Sequence, residues 1–204
     1  MNLEEQMLLL ERTLSTLSGY KGWVIGKCSF FLEKEPYPEE EQTCSLQVIR
    51  ENSCLVDIGI SQGKTERLRV TLMRPAKNSA GTSKDTDQSS GKNAGAPEEK
   101  AGKTDQDRNQ AEKFLVTRGE TDRYLTVSGD KNPIHQGENA IVPGFLMVNR
   151  IAGMLKNPEK LQVRFFTPLP VGESAKLVIQ GENGDEQTAE LYRNGERILK
   201  IKAD

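Results

Sequence analysis

Asp130 and His135 lie in the string Ser128-Gly129-Asp130-Lys131-Asn132-Pro133-Ile134-His135. Ser-Gly-Asp and Asn-Pro are turn formers, so the sequence predicts an ordered loop leaving a strand. Gly129 and Pro133 can fold that loop so that a carboxylate and an imidazole meet. Such a pair can activate water. His135 is the only histidine of the chain, and its ordinary pKa of about 6.5 suits proton transfer near neutral pH. On residue type alone the alternatives stay open. A lone histidine in a polar loop is commonly a surface or capping residue, and Asp130 can simply close an Asx turn.

A second constellation follows at Ile141-Val142-Pro143-Gly144-Phe145. Pro143 marks a helix start. The first N–H groups of a helix have no internal partner. Gly144 has no side chain to hold a ligand away, so its N–H can receive a carbonyl oxygen that gains negative charge. An acid–base pair with an oxyanion donor suits chemistry beside an acyl carbonyl. Pro143-Gly144 can equally be no more than a helix start.

These residues need a scaffold, and the pattern of the chain supplies one twice. Leu3, Met7, Leu10, Leu14 and Leu17 line one face of a predicted helix, with Gly19 as its stop. Strand-like runs follow at 23–32, 43–50, 54–60 and 67–73. In the second half a helix at 145–155 precedes strands near 161–167, 175–181, 187–193 and 197–202. Phe30-Phe31 answers Phe165-Phe166, with Pro36 and Pro38 after the first pair and Pro168 and Pro170 after the second. Ser45–Ile49 answers Ala175–Ile179, and Glu66–Val70 answers Glu196–Lys200. One helix followed by an antiparallel meander, used twice, predicts an α+β pseudo-dimer in one chain. The four phenylalanines read as core, and the three cysteines as core or surface.

The predicted units are an N-terminal unit at 1–77, a disordered linker at 78–110 and a C-terminal unit at 111–204. The linker is rich in Gly, Ser, Lys, Asp and Gln, and alanine is its only apolar side chain. It cannot bury enough surface to offset the entropy of ordering, and it spans about 30 Å. It also lowers the mean hydropathy to -0.62. The 28 basic and 30 acidic residues are balanced in both units. That argues against a nucleic-acid partner. No apolar run reaches the length of a membrane span. Cys28, Cys44 and Cys54 contain no C-x-x-C pair, which argues against a zinc site and a disulfide framework. Met1-Asn2-Leu3-Glu4-Glu5 lacks the basic start and apolar core of a signal peptide, so the expected location is cytoplasmic.

The string from Ser128 to His135 resembles the signature of the MaoC-like (R)-specific enoyl-CoA hydratases and dehydratases. Ile141–Phe145 is similar to that family's next motif, usually Ile-Val-His-Gly-Met. Gln162–Glu173 is similar to its Phe-x-x-Pro-Val-x-x-Gly-Asp strand. The close match covers residues 114–204. The resemblance implies a double hot-dog fold: two antiparallel sheets, each wrapping a helix. The catalytic motif lies only in the second unit, and the first is its degenerate partner. It implies hydration of trans-2-enoyl-CoA to (R)-3-hydroxyacyl-CoA, or the reverse dehydration, with no metal and no redox cofactor. The substrate partner is an acyl-CoA or acyl-carrier-protein thioester, and the chain is a monomeric pseudo-dimer or a homodimer.

By motif position, Asp130 and His135 activate the water, Asn132 positions them, and the Gly144 N–H polarises the thioester carbonyl. Ser128, Gly129, Pro143, Phe145, Arg150 and Arg164 fall to substrate binding. Arg150 and Arg164, with Lys156 and Lys160, are candidates for the phosphates of CoA, and a solvated face is the plainer reading of each. The chain departs from the family in three places. Only Gln136–Ala140 separate His135 from Ile141, fewer than usual. Gly137 stands where the family has an aspartate, and Pro143 where it has a histidine. The shortened loop predicts a more open site with altered acyl specificity, or a subunit that binds acyl thioesters without turning them over. A third reading is a hot-dog thioesterase using Glu138.

Overall fold

The computed structural model describes residues 2–32, 43–75, 110–181 and 186–204. The first helix, α1 (Leu3–Ser15), opens on a reciprocal cap. Asn2 Oδ1 accepts the Glu5 N–H at 2.9 Å, and Glu5 Oε2 accepts the Asn2 N–H at 2.8 Å. This satisfies donors that a helix start leaves free. Met7 and Leu10 of the leucine stripe are buried, and Leu3, Leu14 and Leu17 pack against the same core. The helix ends at Ser15, short of the expected stop. Gly19 takes φ +93° in the turn that follows.

After α1 come β1 (Val24–Phe31), β2 (Cys44–Glu51), β3 (Leu55–Gln62) and β4 (Thr65–Met73). The second half contains β5 (Gln110–Leu115), α2 (Arg118–Ser128), α3 (Gly144–Ala152), β6 (Lys160–Phe165), β7 (Ser174–Gly181), β8 (Gln187–Arg193) and β9 (Glu196–Ala203). The strands form one antiparallel sheet in the order β2-β3-β4-β1-β6-β9-β8-β7-β5. The sequence predicts two sheets, one per half. Instead β1 and β6 pair from Lys27↔Arg164 to Phe31↔Lys160 and join the halves into one.

Outward from this seam run β4, β3 and β2 on one side and β9, β8 and β7 on the other. Each N-terminal strand therefore has a C-terminal counterpart. Matching Phe30-Phe31 to Phe165-Phe166 makes Val163 the counterpart of Cys28, and these two residues are paired across the seam. A two-fold rotation about that pair exchanges β1 with β6. The core also crosses the seam, because Phe30 of β1 meets Phe145 of α3 edge-on with ring centroids 5.2 Å apart.

Two elements fall outside the sequence prediction. One is β5, whose first residue, Gln110, belongs to the expected linker. Residues 78–109 of that linker lie outside the described residues, as do Pro36 and Pro38. The other is α2, so the loop bearing Asp130 leaves a helix and not a strand. Thr117 and Glu120 form its capping box, and Gly129 ends it at φ +72°, a conformation glycine enters without steric cost. Its buried residues are Thr121 and Ser128, so no apolar stripe announces it. Among the described residues no helix is long and apolar enough to cross a membrane.

Candidate functional site

Three turns bring Asp130 and His135 together. Gly129 reverses the chain at the end of α2. Asp130 Oδ1 then accepts the Asn132 N–H at 2.8 Å, closing an Asx turn. Pro133–His135 forms a single 3-10 turn, with Asn132 at its start. The outcome is His135 Nε2 at 3.4 Å from Asp130 Oδ2. The other ring nitrogen, Nδ1, is 2.8 Å from the Ile141 carbonyl. A carbonyl can only accept, so Nδ1 carries the proton and the neutral ring turns a bare Nε2 towards Asp130.

His135 is 7% exposed. Burial pushes its pKa below the ordinary histidine value, while the Ile141 hydrogen bond and the Asp130 charge pull it up less strongly. The ring is therefore neutral at pH 7. Two acceptors, Nε2 and Oδ2, stand 3.4 Å apart at one point of a cavity wall. Such a point suits a water that donates both its hydrogens and passes one of them on.

The pair opens into a cavity of about 580 Å³. Leu14, Trp23 and Ile25 line it from the N-terminal half, and Ile134, Pro143 and Phe165 from the C-terminal half. The start of α3 borders it. Pro143 caps this helix without a side-chain hydrogen bond, and the first free N–H groups carry the positive end of the helix dipole. An acyl chain suits the apolar walls, and its carbonyl suits the helix start.

No family profile and no curated protein matches this sequence. Solved structures do match in shape. HtdX from Mycobacterium tuberculosis is 18% identical, with 98% of this chain and 85% of that one covered at a TM-score of 0.59. A MaoC-like dehydratase is 15% identical, with 97% and 83% covered at a TM-score of 0.61. An acyl-ACP thioesterase from Bacteroides thetaiotaomicron is 14% identical, with 89% and 75% covered at a TM-score of 0.51. The chain shares the fold of these dehydratase and thioesterase structures.

Within that fold the residues singled out by sequence separate into two groups. Asp130, Asn132, His135, Pro143, Gly144 and Phe145 all border the cavity. Ser128, Gly129, Arg150 and Arg164 do not. Ser128 is buried, and its Oγ accepts the Asp130 N–H at 3.3 Å. Gly129 is the cap of α2. Arg150 Nη1 donates to the Leu115 carbonyl at 2.7 Å and lies 3.3 Å from Glu120 Oε1, with its guanidinium over the Phe114 ring. Arg164 is exposed on the sheet, with its guanidinium over the Phe166 ring. Lys160 is 3.8 Å from Asp204. Glu138 is exposed and does not line the cavity.

Gly144 has a packing reason to be glycine besides the one the sequence suggests. A β-carbon there would meet the Phe165 ring at 3.1 and 3.2 Å. The missing side chain makes room for Phe165. Phe165 and the half-exposed Phe166 border the cavity, so they are wall and not deep core. None of residues 136–140 lines the cavity. The short loop closes on itself through Ile141 N–H to the Ile134 carbonyl at 3.0 Å. The N-terminal half supplies wall beside the pair, through residues the sequence reading passed over: Glu11, Trp23 and Ile25. Glu11 had one readable signal, a charged residue four after Met7 and three before Leu14, beside the apolar stripe. Among the described residues no group of three His, Cys, Asp or Glu side chains is placed to hold a metal ion.

Proposed function

We propose that the chain is a hydro-lyase that adds water across a trans-2-enoyl thioester to give the 3-hydroxyacyl thioester, or runs the reverse dehydration. The observation that carries this reading is the bare Nε2 of His135, 3.4 Å from Asp130 Oδ2, with its opposite nitrogen fixed by Ile141. Fixing Nδ1 on a carbonyl leaves one ring nitrogen for proton traffic. In the addition, the water oxygen bonds to C3 while its proton passes to Nε2. The imidazolium so formed is stabilised by the Asp130 carboxylate and returns the proton to C2. Both new bonds form on the face that looks at the pair, so the addition is syn. The (R) product is the one the family resemblance implies. The negative charge that gathers on the thioester oxygen is met by the Gly144 N–H at the start of α3.

The matched dehydratase and thioesterase structures support an acyl thioester as substrate. The counterpart strands on either side of the β1–β6 seam support the double hot-dog reading, in which one chain supplies both halves of a site. Three unpaired cysteines, two of them at least partly accessible, fit a reducing compartment such as the cytoplasm.

Hydrolysis of the thioester is the second reading, favoured by the shape match to the acyl-ACP thioesterase. The exposure of Glu138 removes the carboxylate expected for it, so hydrolysis would rely on the same Asp130 and His135. One experiment separates the readings. Crotonyl-CoA and longer enoyl-CoAs are followed at the enoyl-thioester absorbance band and, in parallel, for free thiol. Loss of the band without thiol release, abolished in Asp130→Asn and His135→Ala, is the expected result. Thiol release supports the thioesterase. Binding with neither change supports a non-catalytic acyl-thioester-binding subunit.

A further inference from the structure

Glu11 is a carboxyl that the mechanism above leaves unused. It lies on α1, in the half without the motif, and is 5% exposed. Its Oε2 accepts a hydrogen bond from the Tyr124 hydroxyl. Tyr124 belongs to α2, the helix whose end launches Asp130. Glu11 also borders the same cavity as Asp130 and His135. We propose that Glu11 is a positioning residue of this site: its carboxyl sets the charge against which His135, beside Asp130, takes up and returns a proton.

The physical argument is reciprocal. Burial, opposed by the Tyr124 hydrogen bond and aided by the charge of Asp130, pushes the Glu11 pKa up to about 8. Whatever Asp130 does to Glu11, Glu11 does to Asp130. At neutral pH the Glu11 carboxyl is protonated and uncharged. Above about pH 8 a second carboxylate appears. It raises the proton affinity of His135 and opposes negative charge on a bound acyl oxygen. Among the described residues, no cation is seen to pair with Glu11. Arg12, on the same helix, donates from Nε to the Val127 carbonyl. Glu4 is a second acid on α1, and its charge raises the pKa of Tyr124. Cys44 of β2 meets Thr13 on the sheet side of α1, with the charge of Arg67 from β4 beside it. Lys21 and Lys131 also border the cavity.

A purely structural carboxyl would be replaced well by glutamine, whose amide oxygen accepts the same Tyr124 hydrogen bond. The test therefore reads charge. The single histidine of the chain gives an unambiguous imidazole signal, so the full-length protein is titrated by NMR from about pH 5 to about pH 10. The expected result is a main inflection below the ordinary histidine value and a second, smaller one near pH 8. Glu11→Gln abolishes the second and keeps the first. Tyr124→Phe removes a hydrogen bond that favours the Glu11 anion, so it moves the second inflection to higher pH. A His135 signal that is flat above its main inflection overturns the proposal, as does a second inflection that survives Glu11→Gln. If Glu11→Gln fails to fold, an unmoved inflection in Tyr124→Phe overturns it.

The kinetic consequence rests on the hydro-lyase reading, whereas the titration does not. Enoyl-CoA turnover is expected to fall about tenfold per pH unit above the second inflection in the wild type, and not in Glu11→Gln. A second inflection without any turnover upholds the role of Glu11 and overturns the hydro-lyase reading.

Discussion

Asn132 donates from Nδ2 to the Trp23 carbonyl at 2.9 Å, across 109 positions of the chain. Its Oδ1 accepts the Gly22 N–H at 3.0 Å. The motif asparagine thus holds the α1–β1 turn of one half against the Asp130–His135 loop of the other. Both side-chain atoms are engaged with backbone, and only its own N–H reaches Asp130. Asn132→Ala takes this partner from three part-buried backbone groups, the Trp23 carbonyl and the Gly22 and Ile134 N–H groups, at a cost of about 1–3 kcal/mol. A melting temperature within error of wild type would sink this account. Asn132→Asp keeps the acceptor for Gly22 but sets a carboxylate against the Trp23 carbonyl, so it is expected to be no better than alanine.

His135 gives a pH dependence with a definite sign. Its folded pKa lies below the ordinary value because burial disfavours the imidazolium. The unfolded chain therefore binds the proton first. Stability from this group is fully present above about pH 6.5 and is lost as pH falls towards the folded value. Asp130→Asn removes a charge that pulls the pKa up, so the His135 inflection is expected at still lower pH. Imidazole NMR checks this directly, and an upward shift in Asp130→Asn contradicts it.

The sequence was most legible where one face of an element is buried. The leucine stripe of α1 and the alternation of β3 and β9 follow from burial on one side, and their bounds fall within a few residues of the prediction. Asp130, His135 and Gly144 were legible through local turn and helix-start chemistry. The pairing of β1 with β6 was not, because the alternation of a strand names its buried face and not its neighbour. α2 was missed because its buried positions are Thr121 and Ser128. Its capping box and Gly129 were the signals available. Glu11 was missed because local spacing cannot show a partner such as Tyr124, which the fold brings from the other half.

Gly144→Ala tests the oxyanion end of the site. The new methyl would stand 3.1 Å from the Phe165 ring and 3.6 Å from Ile25 Cδ1. The ring must give way by a few tenths of an ångström. A helical alanine gains at most about 1 kcal/mol over glycine, which offsets a strain of similar size. The expected melting temperature is near wild type, while affinity for an unreactive acyl-CoA falls as Phe165 moves into the cavity. Calorimetry that finds unchanged affinity contradicts this use of the Gly144 site.

Arg150 illustrates a basic residue that the sequence offers to phosphate and the fold employs elsewhere. Its guanidinium binds the Leu115 carbonyl and covers Phe114 at 4.8 Å. Arg150→Ala strips both, so it is expected to cost about 1–3 kcal/mol and to leave acyl-CoA affinity unchanged. Weaker CoA binding at unaltered stability would return Arg150 to the substrate.

Glu11 supplies the opposite pH signature to His135, and the two can be separated. Its folded pKa of about 8 lies above the ordinary carboxylate value of about 4.5. The unfolded chain releases the proton first. The corresponding stability is fully present below about pH 4.5 and is lost as pH rises towards 8. Glutamine does not titrate, so Glu11→Gln is expected to match wild type in acid. Its advantage should then grow by about 1.4 kcal/mol per pH unit between the two values. Urea denaturation of both proteins at several pH values measures the slope. A constant difference across that window would mean that Glu11 is ionised in the folded protein, and the neutral carboxyl beside Asp130 would have to be abandoned.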